Sequence, residues 1–488
     1  MKNNILYLTL ILACISAACN DWLDVKPKTQ MDANEMFDQE EGFRDALTAC
    51  YIKLKSRDLY GEKMNMTTVE YLAQHWSLDE NNYKEEIRLK NFDYDTDYAQ
   101  EAVTAIYQGL YNTIAQANIL LENLEEKGAV IQNPDVRAII EAEALAIRAF
   151  CHLDILRLFG SVPQKATIQV NLTYATKVTP ENMPLYDFDN YVKLLLADLE
   201  AAEKLMKDHD PILKYSYAKL SEMKNIDLED TFLGYRRFRF NYYAVKALRA
   251  RLYRYTGDKE KAYAEAKALI DAKDTNGQPV LSLAGTEELQ AKYFALPSEC
   301  FLALNSHKLK EYLDKLMNTS SLRESTDRLE KDIFVGQSRG DNNRYIYWWN
   351  SKDKDSQGYI RAILLKYKQL EDGEDLYEND KITKKQVIPL IRLSEIYLIA
   401  IESAPSLSEA NTLFQEYMRA RNVAVNDLSE TALQEEILRE YRREFYGEGQ
   451  MFFTYKRLGA KQMLWKTDRE ISERDYIVPL PTSELVKN

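Results

Sequence analysis

The chain has 488 residues, enough for a large core and, by length alone, for two to four domains. With 45% apolar and 29% charged side chains and only 16 Gly and 12 Pro, its composition is that of an ordered, helix-rich protein. Its 64 basic and 77 acidic residues give a net charge of −13, which argues against nucleic acid as a partner, because phosphate binding draws on a surplus of cations.

The N-terminus speaks to compartment. "MKNN" is a short polar region with one Lys, and "ILYLTLILACISAA" is apolar but too short to span a bilayer comfortably. Ser16, Ala17 and Ala18 then precede Cys19, the small-small-Cys ending of a bacterial lipobox. The expectation is a signal peptide over 1–18 and a lipid on Cys19, with Cys14 as a rival inside the apolar run. Several acyl chains, at ~0.8 kcal/mol per buried methylene, would anchor the protein permanently. Cys50, Cys151 and Cys300 remain, too few and too scattered for a disulfide framework, and none has a CxxC partner for zinc.

From residue 34 the chain reads as helix pairs. "DQEEGFRDALTACYIKLKS" opens the ordered part, followed by "QEAVTAIYQGLYNTIAQANILLENLEE" and "DVRAIIEAEALAIRAFCHLDILRLFG". In the last, Ala142, Leu145, Ala149, His152, Leu153 and Leu156 recur at helical spacing, with Pro134 suited to the first turn and Gly160 to the stop. "NYYAVKALRARLYRYTGDKEKAYAEAKALIDA" places Ala247, Ala250 and Tyr253 on one helix, turns at Gly257-Asp258 and continues with Ala262, Ala266 and Leu269, a tetratricopeptide-like unit. "PLIRLSEIYLIAIESAPSLSEANTLFQEYMRARN" repeats that logic around Pro405-Ser406. The predicted fold is mainly all-α, a tetratricopeptide-like helix-pair superhelix over about 34–160, 187–272 and 388–458. Loop-rich insertions fall at about 60–97 and 281–379, and residues 19–488 form one domain.

The irregular stretches hold the unusual residues. In "EYLAQHWSLDENNY", Trp76 is followed by Asp79, Asn81, Asn82 and Tyr83, a ring beside short hydrogen-bonding side chains; His75 reads as structural. "NNRYIYWWN" reads as an extended strand, with Tyr345, Tyr347 and Trp349 on one face and Ile346 and Trp348 on the other. An aromatic row left in water usually has something to bind. Trp22 and Trp465 read as packing or partner-facing residues. "DYDTD" (Asp93, Asp95, Asp97) and "DKDSQG" (Asp353, Asp355, Gln357, Gly358) resemble the start of a calcium loop, but neither carries Glu at the twelfth position. The expectation is therefore no cofactor and no metal, with calcium as a minor alternative. Glu440, Glu444 and Glu448 in "REYRREFYGEGQ" stand four apart; two could serve a glycosidase, but Arg439, Arg442 and Arg443 around them favour structural ion pairs. No HExxH, GxSxG, GxGxxG or phosphate loop is present.

Taken together, "CNDWLDVKPKTQ", "AEALAIRAFCHLDILRLFGSVP", "ALRARLYRYTGD", "IPLIRLSEIYLIAIESA", "EILREYRREFYGEGQMFFTYKRLG" and "YIVPLPTSELVKN" resemble the SusD/RagB family of surface lipoproteins, in family order and over nearly the whole chain. "FGSVP" departs from a frequent Gly-Asp before Val-Pro, at a turn. The resemblance implies a lipid-anchored outer-membrane receptor at the cell surface. It would capture oligosaccharides and pass them to a SusC-like TonB-dependent transporter, without being an enzyme. It also points to ligand contacts from the early loop, Trp76, Asp79, Asn81 and Tyr83; the aromatic row itself offers the second set, Arg344, Tyr345, Tyr347 and Trp349 or, if the face is reversed, Trp348, because a flat ring covers the C–H patch of a sugar. Covering ~60–100 Å² of a sugar's apolar face is worth roughly 1.5–2.5 kcal/mol. Two such platforms plus polar contacts suit micromolar-to-millimolar capture and release. The alternatives are a secreted glycoside hydrolase, a scaffold that binds only protein, and a peptide-binding relative.

Overall fold

Helices start where a short polar side chain takes up the first free amides. Thr96 accepts from the Ala99 N–H, Asn133 from Asp135 and Val136, Asn241 from Ala244, Asp258 from Lys261 and Ser406 from Glu409. Pro134 follows Asn133 in the first turn, and Gly257, at φ +92°, ends one helix as Asp258 opens the next. The computed structural model describes residues 33–485 apart from 165, 224–225, 319–321, 338, 352–359 and 369–384. Cys19 and Trp22 lie outside the described residues, as do Asp353, Asp355, Gln357 and Gly358.

The helices stack in succession. Pro134–Phe159 lies between Asp97–Lys127 and Phe188–His209; Tyr242–Thr256 packs on the latter and on Lys259–Ile270. Lys259–Ile270 in turn meets Leu393–Ser403, which pairs with Leu407–Ala420. The helix-pair superhelix read from the sequence is therefore the scaffold, and the segment between Ile270 and Leu393 is inserted into it. Pro134–Phe159 is buried on all sides, so its polar residues are paired internally: Arg148 with Asp198 at 2.6 Å, and His152 with the Tyr191 hydroxyl at 2.7 Å. Desolvation lowers the His152 pKa to about 3, so this histidine is neutral. Cys50, Cys151 and Cys300 are buried free thiols.

Two small sheets organise the insertion. Cys300–Asn305 pairs antiparallel with Val387–Arg392, and the latter runs straight into Leu393–Ser403, tying insertion to scaffold. The second sheet orders Arg323–Ser325, Arg361–Leu364 and Trp349–Asn350, all antiparallel.

The strand expected over 342–350 is corrected. The Asn342 side chain accepts the Arg344 N–H at 3.0 Å and caps the helix Asn343–Trp348; only Trp349 and Asn350 are extended. A local side-chain cap overrides the alternating pattern, so Tyr345, Tyr347 and Trp349 do not share a strand face.

Candidate functional site

The chain around Trp76 is held from below. After the helix Thr68–Leu72, Gln74 and Trp76 both take left-handed backbone conformations, at φ 68° and 65°. Glu70, fully buried, accepts the N–H groups of Gly447 (3.0 Å) and Gly449 (2.8 Å) and meets His75 Nδ1 at 2.5 Å. Gly449, at φ +68°, admits no side chain, since a Cβ would stand 1.8 Å from the Met64 carbonyl oxygen. Lys90 directs its ammonium at three successive carbonyls, Gln74, His75 and Trp76, at 3.2, 2.7 and 2.6 Å.

Trp76, Trp348 and Trp349 are all buried. Trp76 is 1% exposed and donates its indole N–H to the Met66 carbonyl at 2.8 Å. Trp348, also 1% exposed, donates to the Phe294 carbonyl at 2.9 Å and carries the Lys366 ammonium over its ring at 4.1 Å. Trp349, at 5%, meets the Tyr446 ring edge-on at 5.1 Å; His75 stacks on that same ring at 4.0 Å and Trp76 meets it edge-on at 5.0 Å. The expected stacking platforms are thus corrected to core residues: Trp76 and Trp349 pack against Tyr446, and Trp348 is buried against Phe294 and Lys366. Burying an indole removes about 200 Å² from water. At ~25 cal/mol/Å² that is roughly 5 kcal/mol, about twice what one sugar face offers, so the core outcompetes the surface.

Arg344 is corrected too. It is fully buried, donating to Glu440 at 2.5 Å and to the Tyr417 hydroxyl at 3.1 Å. The three carboxylates four apart fall into one interior network. Glu440 meets Arg344 and Arg443, Glu444 meets Arg392, Arg421 and Arg344, and Glu448 meets Lys366 and Arg392. Burial raises the Glu440 pKa, but Arg344 and Arg443 outweigh it and hold the carboxyl to about 2; Glu444 is held well below the usual range by Arg421, Arg392 and Arg344. A general acid needs a raised pKa, so neither Glu440 nor Glu444 supplies one. The partners are mostly distant in sequence rather than the neighbouring Arg439 and Arg442.

Of the remaining predicted residues, those of the loop 77–83 are joined to Tyr345 by a chain of contacts. Ser77 donates its N–H to the Arg323 carbonyl at 3.0 Å, and its carbonyl accepts from Arg361 at 2.9 Å, stitching the loop to the three-stranded sheet. Beyond it Asp79 accepts from the Asn81 N–H and the Asn82 amide, both at 2.9 Å; Asn81 and Asn82 are exposed, Asp79 and Tyr83 half-buried. Arg328 donates to Ser77 Oγ at 3.0 Å and lies 3.5 Å over the Trp465 ring, and Trp465 donates to Asp332 at 2.7 Å. Two residues before Asp332, Glu330 accepts from the Tyr345 hydroxyl at 2.7 Å. Tyr345 and Tyr347 are half-buried, with Ile346 between them 43% exposed. The structure thus links the loop 77–83 with Tyr345 through Arg328, Trp465 and the segment Leu329–Ile333. Trp465 was not among the expected contacts; its turn carries no Gly or Pro, and an isolated Trp near a chain end gives no sign of its neighbours.

Two further features lie elsewhere. Asp93 is turned onto Arg88 at 2.9 Å, and among the described residues no group of three or more His, Cys, Asp or Glu is arranged to hold a metal ion. A cavity of about 1160 Å³, with Arg254, Glu402, Leu433, Tyr441 and Arg457 in its lining, contains none of the residues predicted from sequence. Among the described residues no helix is long and apolar enough to cross a membrane.

Comparison with known proteins agrees over the full length. Residues 21–209 match a family described as "Starch-binding associating with outer membrane", and residues 334–476 match the SusD family. A SusD-like protein of Formosa agariphila is 23% identical over 100% of this chain and 98% of its own length. A second from the same organism is 26% identical over 33% of this chain and 31% of its own. Among solved structures, a SusD superfamily protein from Bacteroides thetaiotaomicron superposes with a TM-score of 0.69 at 18% identity, over 92% of this chain and 98% of its own. The surface glycan-binding protein A of Bacteroides uniformis gives 0.66 at 18% identity over 92% and 98%; a laminarin-binding SusD-like protein gives 0.61 at 18% over 92% and 97%. At these identities the structures establish the shared fold.

Proposed function

The chain belongs to the SusD family, and on that premise we propose that it captures oligosaccharides at the outer-membrane surface and hands them to a TonB-dependent transporter, tethered by a lipid on Cys19. The observation that carries the capture reading is the chain of contacts joining the loop 77–83 to Tyr345. Half-buried rings there (Tyr83, Trp465, Tyr345) alternate with Asn81, Asn82, Arg328 and Glu330. Rings cover the apolar C–H patch of a sugar while amides, carboxylates and guanidinium meet its hydroxyls, the mixture that glycan recognition requires. Asp79, Asn81, Tyr83, Tyr345 and Tyr347 are the proposed contacts from the original set. Trp76, Trp348, Trp349 and Arg344 are buried and are left out of that set.

Calorimetric titration of the full chain with maltoheptaose and laminarihexaose tests this reading. Saturable micromolar-to-millimolar binding without hydrolysis of the sugar is expected; cleavage would favour a hydrolase, and binding of peptides but no glycan would favour a peptide receptor. Cys19→Ala should release the protein from the membrane fraction, and retention there would remove the lipid anchor.

A further inference from the structure

Four tryptophans fall within the described residues. Three are core, and the fourth, Trp465, is half-buried. It sits in the turn closed by Met463 and Lys466 at φ +68°, a left-handed conformation that a bulky side chain adopts only when its surroundings enforce it. Such enforced backbone recurs at ligand clamps. Two other left-handed residues, Gln74 and Trp76, lie in the same neighbourhood, for the Gln74 carbonyl accepts from Arg328 at 3.5 Å.

We propose that Trp465 is the stacking platform of the ligand face, taking the C–H face of a neutral pyranose ring on the indole face opposite Arg328, with Asp332 at the ring edge for the sugar's hydroxyls. This rests on the glycan-capture reading above and deepens it. The indole is fixed on two sides before any ligand arrives, by its bond to Asp332 at 2.7 Å and by the Arg328 guanidinium at 3.5 Å. Arg328 is itself set by Ser77 Oγ and stands 3.5 Å from the Glu324 carboxylate. A ring already immobilised loses little further freedom on stacking, so more of the contact appears as affinity. Asp332 accepts from the indole through Oδ2, and a carboxylate has further acceptor capacity that a sugar hydroxyl would use in the proposed complex. Through Ser77 and Arg328 the platform lies beside the loop that carries Asp79, Asn81 and Tyr83. A residue that only packs would show no response to sugar.

The test titrates the wild-type chain, Trp465→Ala and Trp465→Phe with laminarihexaose and maltoheptaose, following heat and intrinsic fluorescence. For the sugar that binds wild type, Trp465→Ala should weaken affinity at least tenfold and remove the ligand-induced emission change, and Trp465→Phe should recover part of the affinity. Should Trp465→Ala fail to fold, oxidation of wild type by N-bromosuccinimide, mapped by peptide mass spectrometry, decides the matter: saturating sugar should protect Trp465. Equal affinity in a folded Trp465→Ala, or equal oxidation with and without sugar, overturns the platform while leaving glycan capture intact. A wild type that binds neither sugar overturns both.

Discussion

The Tyr446 hydroxyl donates to the Glu324 carboxylate at 2.6 Å, and the same oxygen accepts the backbone N–H of Trp76 at 3.0 Å. One phenol thus joins the strand Arg323–Ser325 to the loop that leads into Asp79–Tyr83. Tyr446→Phe keeps the ring packing but leaves a buried carboxylate oxygen and a buried amide without their partner, at a cost of about 1–3 kcal/mol. Urea unfolding should show that loss, and the Trp76 amide should exchange faster. Unchanged exchange would show that the loop is held by other contacts.

Trp348→Ala removes a fully buried indole with its N–H partnered by Phe294. The expected destabilisation is about 3–5 kcal/mol, with glycan affinity of the folded fraction little altered. Loss of affinity at native stability would instead return Trp348 to the ligand.

Glu440 carries a sign that can be checked against pH. Its carboxyl is held to about 2 in the folded chain, against ~4.3 when unfolded, so its stabilisation is complete above about pH 4.3 and lost as pH falls towards 2. Glu440→Gln leaves the buried Arg344 short of its counter-charge, costing about 3–5 kcal/mol at pH 7. The gap between wild type and variant should narrow steadily below pH 4. A gap constant with pH would show that the charge of Glu440 is not what stabilises.

Lys90 has the opposite character. Desolvation lowers its pKa to about 7, with Glu324 raising and Arg328 lowering it further, against ~10.4 in the unfolded chain. The unfolded chain therefore binds more protons between about pH 7 and 10, and this group makes stability rise with pH across that window. In Lys90→Met the rise in urea midpoint from pH 7 to 10 should be smaller than in wild type. Equal slopes would mean that the ammonium is solvated.

The scaffold was legible because its signals are local. Asn133-Pro134 opens a helix through one side chain and one ring, and Gly257-Asp258 ends one and starts another within two residues. The segment Asn342–Asn350 was misread because alternation along a strand and a short capped helix place aromatics similarly over so few residues. Glu440, Glu444 and Glu448 were legible as ion pairs, but not their partners: Arg344, Arg392 and Arg421 lie 96, 52 and 23 residues from the acids they meet.

By itself the sequence determined the helical scaffold, the family and the presence of an aromatic, polar insertion, because capping, periodicity and composition are properties of neighbouring residues. Only the tertiary structure decided which rings face water. Trp76 and Trp465 are the same side chain, yet one is enclosed by Tyr446 and Met66 while the other is held half-open by Arg328 and Asp332. Burial depends on what chain from elsewhere lies on top, and no window of sequence contains that chain.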